Sequence, residues 1–306
     1  MASHSIDSFI PAFATYRKDW RALCGPFVGL VGLQVVSLLA LILLYIGILG
    51  GVVQYNYDLQ SAGPVLLVVE VVLAVILFFG SVLFLASSLK PLDEALRGKE
   101  IPGWRNELGL QAINSIKIGL FRIACILAFY AFIFAPFLLV ALLGNTTASA
   151  ASTLIIIPVM LLGFVFAILA FALTMFVELE VVLGGRGIFE AVSSSFRLVR
   201  ENPFDVLLFV LAWSALYSVA SVLLFIVMLA AYFIGFAIMF TFIFAFSGYG
   251  ALVGIIAFAA IYLLAMLFNG VVSYCIGTPL FLLSLIRFWR SLAEKEGIVR
   301  DGWSRR

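Results

Sequence analysis

Long apolar runs constrain this chain more than any other feature of its sequence. Six stretches carry at most one charged residue each: about 26–50, 64–88, 119–143, 154–178, 203–230 and 251–286. A transmembrane helix needs about 20 consecutive apolar residues, and each stretch is at least that long. Soluble domains carry about 25% charged residues, whereas this chain of 306 residues carries 11% and has a mean hydropathy of +1.23. The sequence therefore predicts an all-α integral membrane protein.

The basic residues predict how these spans are oriented. The central stretch 90–117 carries five of them: Lys90, Arg97, Lys99, Arg105 and Lys117. The connections 51–63 and 144–153 carry none. Lys and Arg stay on the cytoplasmic side of a bilayer, so 90–117 is predicted to be a central cytoplasmic loop. Six spans place both termini inside, including a basic cytoplasmic tail at 287–306.

The number of spans depends on how the region 203–286 folds. As one helix its 84 residues would be about 126 Å long at about 1.5 Å per residue, so the chain must turn, most simply at 247–250. The aromatic piece 233–246 is then an outward extension, a re-entrant segment or an extra span. Seven spans would move the basic tail outside. Six spans fit the orientation rule, as do eight with another turn at 269–270.

Short amphipathic segments precede the odd-numbered spans. Residues 5–20 place apolar side chains at helical spacing and predict a helix at the cytoplasmic interface; the alternative is an inward extension of the first span. Similar basic lead-ins stand at 115–117 and 195–197, the latter following an apolar stripe within 188–199. The predicted architecture is six transmembrane helices as three hairpins, each preceded by a short cytoplasmic amphipathic helix.

A family resemblance lies in the middle of the chain. It rests on LRGKEIPGW (96–104), GLQAINSIKIGLF (109–121) and AFYAFIFAPFLLVALLG (128–144). These segments resemble domain of unknown function family 4013, with the family positions filled by Gly98, Pro102, Trp104, Gly109, Tyr130 and Pro136. The resemblance implies a polytopic protein of a prokaryotic plasma membrane. The family has no established activity, so it implies architecture without a function.

Residues that commonly carry catalysis are sparse. The single histidine, His4, lies in the polar N-terminus, and the three cysteines show no CxxC spacing. The glycine-rich 184–187 lacks the lysine of a phosphate-binding loop. The sequence therefore predicts no enzyme, no cofactor and no metal site. A net charge of +2 also argues against a nucleic-acid partner.

Ionisable residues within apolar runs are better candidates for function. Glu70 lies inside the second span, with no basic residue predicted on its side of the bilayer. It is either a packing hydrogen bond or a proton or cation site. Glu178 and Glu180 are predicted to close the fourth span where water reaches them. Arg122 lies inside the third span, from where it can snorkel or pair with either glutamate.

A polar cluster marks the last span. Asn269 and Tyr274 stand close to Thr278 and Pro279, and Gly277 with Pro279 predicts a kink. Broken helices line substrate sites in some transporters, although helix packing is the commoner use of such residues.

Two functions follow from this pattern. One is a small-solute or ion transporter or channel; the other is a non-catalytic scaffold or assembly subunit. Expected partners are the lipid bilayer, anionic headgroups contacted by cytoplasmic Lys and Arg, and a protein partner or second copy. Asn145 begins an N-x-T sequon on the predicted outer face, which is a glycosylation site only in a host with that machinery.

Overall fold

The computed structural model describes residues 8–55, 59–142, 173–245 and 250–295, together with the isolated positions Pro158 and Gly163. Its regular elements are helices, with no strand in these ranges. They are α1 Phe9–Leu23, α2 Gly25–Tyr55, α3 Leu59–Leu96, α4 Trp104–Leu142, α5 173–182, α6 Ile188–Glu201, α7 Pro203–Ala245, α8 Gly250–Val271, a π-helical turn Val272–Gly277, and α9 Thr278–Lys295. The all-α prediction is confirmed for the described chain.

Several of these helices are long and apolar enough to cross a membrane. Within the described ranges there are four: Leu67–Leu96, Trp104–Ala131, Pro203–Ala245 and Val253–Lys295. A fifth appears if Phe9–Leu23 and Gly25–Ala40, bent by 58° at their junction, are counted as one. By their length and composition, these helices indicate a multi-pass membrane protein. The predicted fourth span lies largely outside the described residues, as does Asn145, and six spans stay a prediction.

The ambiguous region 203–286 forms one pair of long helices. The aromatic piece continues α7 without a break to Ala245, and the chain is helical through 269–270. At 43 residues, α7 is about 64 Å long by helical rise, about twice the hydrocarbon thickness of about 30 Å. The piece is therefore a helical extension of α7, and its outward direction stays a prediction. Rings of α7 and α8 pack against each other there, with the ring centres of Phe236 and Phe258 6.3 Å apart.

Glycines bring the first long helices close together. A Cβ at Gly29 of α2 would lie 2.5 Å from Cε1 of Phe84 on α3. Likewise a Cβ at Gly119 of α4 would lie 2.6 Å from Cε1 of Phe79 on α3. Small residues allow such approach in membranes, where close packing replaces the hydrophobic effect as the source of helix association. The helices α2, α3 and α4 therefore pack as consecutive neighbours.

The predicted central loop is much shorter than 90–117. Residues 90–96 belong to α3 and residues 104–117 to α4, so only 97–103 connects them. Gly98 ends α3 with φ +65°, a left-handed conformation that glycine adopts without strain. Its N–H donates to Ala95 O at 3.0 Å while Lys99 N–H donates to Glu94 O at 3.0 Å, as in a Schellman motif. The second interfacial helix is accordingly the start of α4 rather than a separate element.

The tight core lies at one end of the bundle. It is formed by α1, the start of α2, the end of α3, α5, α6, the start of α7, and α9. This region, which we call the charged end, centres on α9, where Leu283, Ile286, Phe288 and Leu292 are fully buried. The prediction of a tail at 287–306 is therefore wrong over 287–295, which form the end of α9. Apolar residues at helical spacing continue past the basic positions there and are buried in the core. Residues 296–306 lie outside the described chain.

Candidate functional site

A groove runs between α7 and the chain that follows it, α8 and the π-helical turn. Its inner part is a cleft of about 800 Å³, within the size range of small-molecule sites. Aromatic side chains close the cleft toward the charged end, among them Phe209, Trp213 and Phe281, and Met175 and Phe176 of α5 contribute to its wall. We call this part the inner lobe.

A second cleft of about 600 Å³ continues the groove along the same two helices. This outer lobe is lined mainly by apolar and aromatic side chains, including Leu224, Phe225, Met228, Leu229, Tyr232 and Tyr262. Three residues line both clefts: Tyr217, Asn269 and Ser273. These three form a polar waist between two more apolar lobes, which is the arrangement of a site for a molecule that is partly polar.

The polar face of α7 was not recognised in the sequence. Ser214, Tyr217, Ser218 and Ser221 line the groove at i, i+3, i+4 and i+7, the spacing of one helix face. Ser218 Oγ donates to its own helix at Ser214 O, 2.7 Å away. The helical spacing of these hydroxyl residues is visible in the sequence, but serine hydroxyl groups are not ionisable and so the serines were not among the predicted candidates.

The π-helical turn has a local cause in the sequence. In an α-helix the N–H of residue 279 would donate to the carbonyl of Cys275, but Pro279 has no N–H. The chain widens into a π-turn at Val272–Gly277 immediately before this proline. Such turns are frequent at functional sites. The predicted irregularity at Gly277 and Pro279 thus takes the form of a π-turn whose residues line the groove.

The α1–α2 junction holds this turn in place. The carbonyl of Cys275 accepts hydrogen bonds from Tyr16 Oη at 2.8 Å and Cys24 Sγ at 3.1 Å. On α2, Gln34 Nε2 donates to Tyr274 Oη at 3.0 Å. The N-terminal helices therefore position the wall of a groove formed by the C-terminal helices. None of these contacts follows from sequence spacing, because the partners lie about 240 to 260 positions apart.

The predicted charged candidates lie away from this groove. Arg122 pairs with Glu178, one of the two partners expected for it. Glu180 pairs instead with Arg186 at 2.8 Å and accepts from Ser194 Oγ and Trp289 Nε1, each at 3.2 Å. Both carboxylates are buried, with 6% and 1% exposure. The expectation that water reaches them is wrong, because α6 and α9 pack over this end of the chain.

Other ion pairs fasten the same end. Asp93, which is buried, pairs with Arg290 of α9. Lys90 Nζ lies 2.8 Å from Glu107 Oε1 and joins α3 to α4 across the short loop. Lys295 Nζ donates to Asn202 Oδ1 at 2.8 Å. These contacts connect helix ends to one another, so the charged residues here hold the fold together.

The remaining candidate, Glu70, lies on an exposed face of α3. It lines neither lobe of the groove. Of the residues selected from the sequence, the structure brings Asn269 and Tyr274 together at the groove. It gathers Arg122, Glu178 and Glu180 at the charged end, and it places Glu70 with neither group.

Comparisons with protein-family models, curated proteins and solved structures find no match for this chain. The resemblance to domain of unknown function family 4013 therefore stays a prediction. Across the described ranges no group of three or more His, Cys, Asp or Glu side chains could hold a metal ion. The geometry of the groove is the observation from which a function can be inferred.

Proposed function

We propose that this protein is a membrane transporter or carrier for a small uncharged solute, with the groove as its substrate site. The observation that supports this most is the polar waist of Tyr217, Asn269 and Ser273. Polar groups at membrane depth are costly unless they find partners. Hydroxyl and amide groups gathered along a cleft of several hundred cubic ångströms offer those partners to a ligand.

The lining of the groove favours a neutral substrate over an ion. Its described side chains include no Asp, Glu, Lys or Arg, whereas ions in membranes are usually met by opposite charge or by backbone carbonyl rings. The interrupted helix beside the waist resembles the broken helices that form substrate sites in transporters. The ion-channel alternative has no comparable support from these residues.

We further propose that the charged end faces the cytoplasm of a prokaryotic cell. Basic residues concentrate there, which fits the positive-inside rule. The amphipathic helix α6 exposes Phe189 and Phe196 together with Arg197 and Arg200. Aromatic and basic side chains on one exposed surface are typical of a helix at an anionic membrane interface.

Blocking the groove chemically tests the substrate site. Ser218→Cys is placed in a chain whose three native cysteines are alanine, and the protein is reconstituted into vesicles. The vesicles are given a mixture of uncharged metabolites, and mass spectrometry of their contents reports uptake. A bulky maleimide on the introduced thiol is expected to abolish any protein-dependent uptake. The same reagent on Thr241→Cys, also on α7 but outside the groove, is expected to leave uptake unchanged; equal effects would refute the site.

The scaffold function has one observation in its favour. The outer part of α7 exposes large aromatic side chains, including Phe233 at 62% and Phe244 at 80%. Exposed apolar area beyond the thickness of the bilayer is typical of an interaction surface. If α7 binds a partner helix or a second copy there, Phe233→Ala with Phe244→Ala should reduce the size of the complex on native gels. An unchanged size would remove this function from consideration.

A further inference from the structure

We infer that the ligand of the groove is a neutral two-chain lipid with a free hydroxyl in its head group, of the diacylglycerol type, which enters sideways from the bilayer. This rests on the proposed function in placing the site at the groove. It adds the chemical class of the ligand and its route of entry.

Sideways entry follows from exposure and depth. Tyr217, at the polar waist, is 54% exposed although it lines both lobes, and Ser214 and Ser218 beside it are also exposed. Tyr217 lies about 21 Å along α7 from Pro203 by helical rise, well inside a bilayer. The open side of the groove at this level therefore faces lipid, and a molecule dissolved in the bilayer can reach it directly.

The waist is suited to a hydroxyl and an ester carbonyl. Ser273 Oγ donates to Asn269 Oδ1 at 3.3 Å, and the Asn269 amide carries two N–H donors besides. The Tyr217 hydroxyl both donates and accepts. Donors and acceptors thus stand together at one level, and a glycerol head group with a free hydroxyl has the complementary set.

The lobes are suited to acyl chains. The inner lobe presents Phe209, Trp213 and Phe281, and the outer lobe presents Phe225 and Met228. An apolar lobe on each side of the waist gives each of two chains a place to lie. A lipid that carried a phosphate would need a cation near the waist, and the described lining holds none. The head group is therefore neutral.

Two photoreactive lipids test this assignment. One is a diacylglycerol with a diazirine in one acyl chain; the other is phosphatidic acid with the same chains, which differs only by a phosphate on the hydroxyl. The full-length protein in phosphatidylcholine vesicles is photolysed with each lipid, and labelled peptides are mapped by mass spectrometry. Diacylglycerol is expected to label the groove residues of α7 and α8, and phosphatidic acid to label them several-fold less.

Three variants define the site. Ser273→Ala and Asn269→Leu each remove hydrogen bonds to the head group and should lower diacylglycerol labelling about threefold to tenfold, the range expected for one or two such bonds in a bilayer. Thr241→Val is the control, because this hydroxyl bonds its own helix at Ala237 O outside both lobes. Ser273→Ala changes little volume, so it reports on the site even where Asn269→Leu fails to fold.

The outcomes separate the ligand from the transport function. Equal labelling by both lipids, or labelling spread evenly along α7 and insensitive to Ser273→Ala, refutes a neutral-lipid site. If uptake of a water-soluble metabolite is then still blocked by the maleimide at position 218, the proposed function survives with another ligand class. Selective labelling by diacylglycerol, with no protein-dependent uptake of any metabolite, supports the lipid site and refutes transport.

Discussion

The charged end and the part of the α7–α8 pair beyond Phe209, which we call the outer part, differ in how deeply their side chains are buried. At the charged end α9 is buried on nearly every side, and Phe288 stacks on Phe209 with ring centres 4.5 Å apart. In the outer part, by contrast, α7 has Gly235 as its one buried residue beyond Phe209. The first region resembles the core of a soluble protein, whereas the second leaves most of its side chains exposed on the surface of the protein.

This difference separates the tightly packed core from most of the groove that we propose as the substrate site. A core excludes water and holds one arrangement because its side chains interlock. Helices in a bilayer associate through close packing and hydrogen bonds, because lipid tails are as apolar as the side chains that they cover. The groove lies where the two regions meet, and Phe281 and Leu285 of the buried helix α9 form part of its wall.

The largest contrast is expected from removing one phenyl ring in each region. Phe288→Ala should lower the free energy of unfolding by about 3–5 kcal/mol, because it leaves a cavity in the core. Phe233→Ala removes the same ring from an exposed position of α7 and should cost well under about 1 kcal/mol. SDS titration of the protein in mixed micelles measures both. Similar costs for the two variants would abolish the distinction between the regions.

Breaking a buried ion pair at the charged end should have the second-largest effect on the free energy of unfolding. Glu178→Leu leaves the guanidinium of Arg122 without its carboxylate, and should cost about 3 kcal/mol, the lower end of the range for breaking a buried pair. Arg122→Leu combined with Glu178→Leu removes both charges and should recover much of the loss. The same titration reports both variants. A double variant as unstable as the single one would mean that the ion pair is not the cause.

A side chain at Gly98, in the turn after α3, should lower the stability by a smaller amount. Gly98→Ala forces a side chain into the left-handed conformation at φ +65° and should cost about 1–2 kcal/mol. Gly109→Ala is the matched control, since it lies inside α4 with open space around a new Cβ; it should stabilise by about 0.5–1 kcal/mol. Thermal unfolding in detergent measures both, and opposite signs are the expected result.

The smallest effect is expected at the contact between the two regions. Tyr16→Phe removes one hydrogen bond to the Cys275 carbonyl, worth about 1 kcal/mol, and loosens the π-turn. Hydrogen exchange of peptides covering 272–278 should become faster, while peptides covering 283–292 should not change. Tyr130→Phe, a change on an exposed ring of α4, serves as the control. Faster exchange throughout α9 would show that the turn and the core form one unit.

Hydropathy predicted the membrane helices because lipid demands long apolar runs. The same reasoning failed at 287–295, where Arg287 and Arg290 led to the prediction of a basic cytoplasmic tail. There Leu285, Phe288 and Leu292 are buried despite the two arginines. Arg290 pairs with the buried Asp93, and Arg287 stays exposed. A count of charged residues does not show that an arginine has a carboxylate partner on another helix.

The groove could be predicted only in part. Asn269 and Tyr274 were selected because polar residues are rare in a span, and they do line it. The serines of α7 were missed although their spacing was readable. The π-turn and its link to Tyr16 depend on which helices become neighbours, and local sequence does not specify that. Glu70 was selected for its charge alone, and charge is not the chemistry of this groove.

The central claim, that one polar face of α7 borders a cavity while its other faces meet lipid, can be tested by a cysteine scan. Single cysteines are placed from 211 to 230 in the cysteine-free chain and treated with N-ethylmaleimide in native vesicles. A polar cavity holds water when empty, and the reactive thiolate forms only where water is present. Positions 214, 218 and 221 are expected to react, and 219, 222 and 226 to stay unmodified. Uniform reactivity, or a maximum on the opposite face, would contradict the claim.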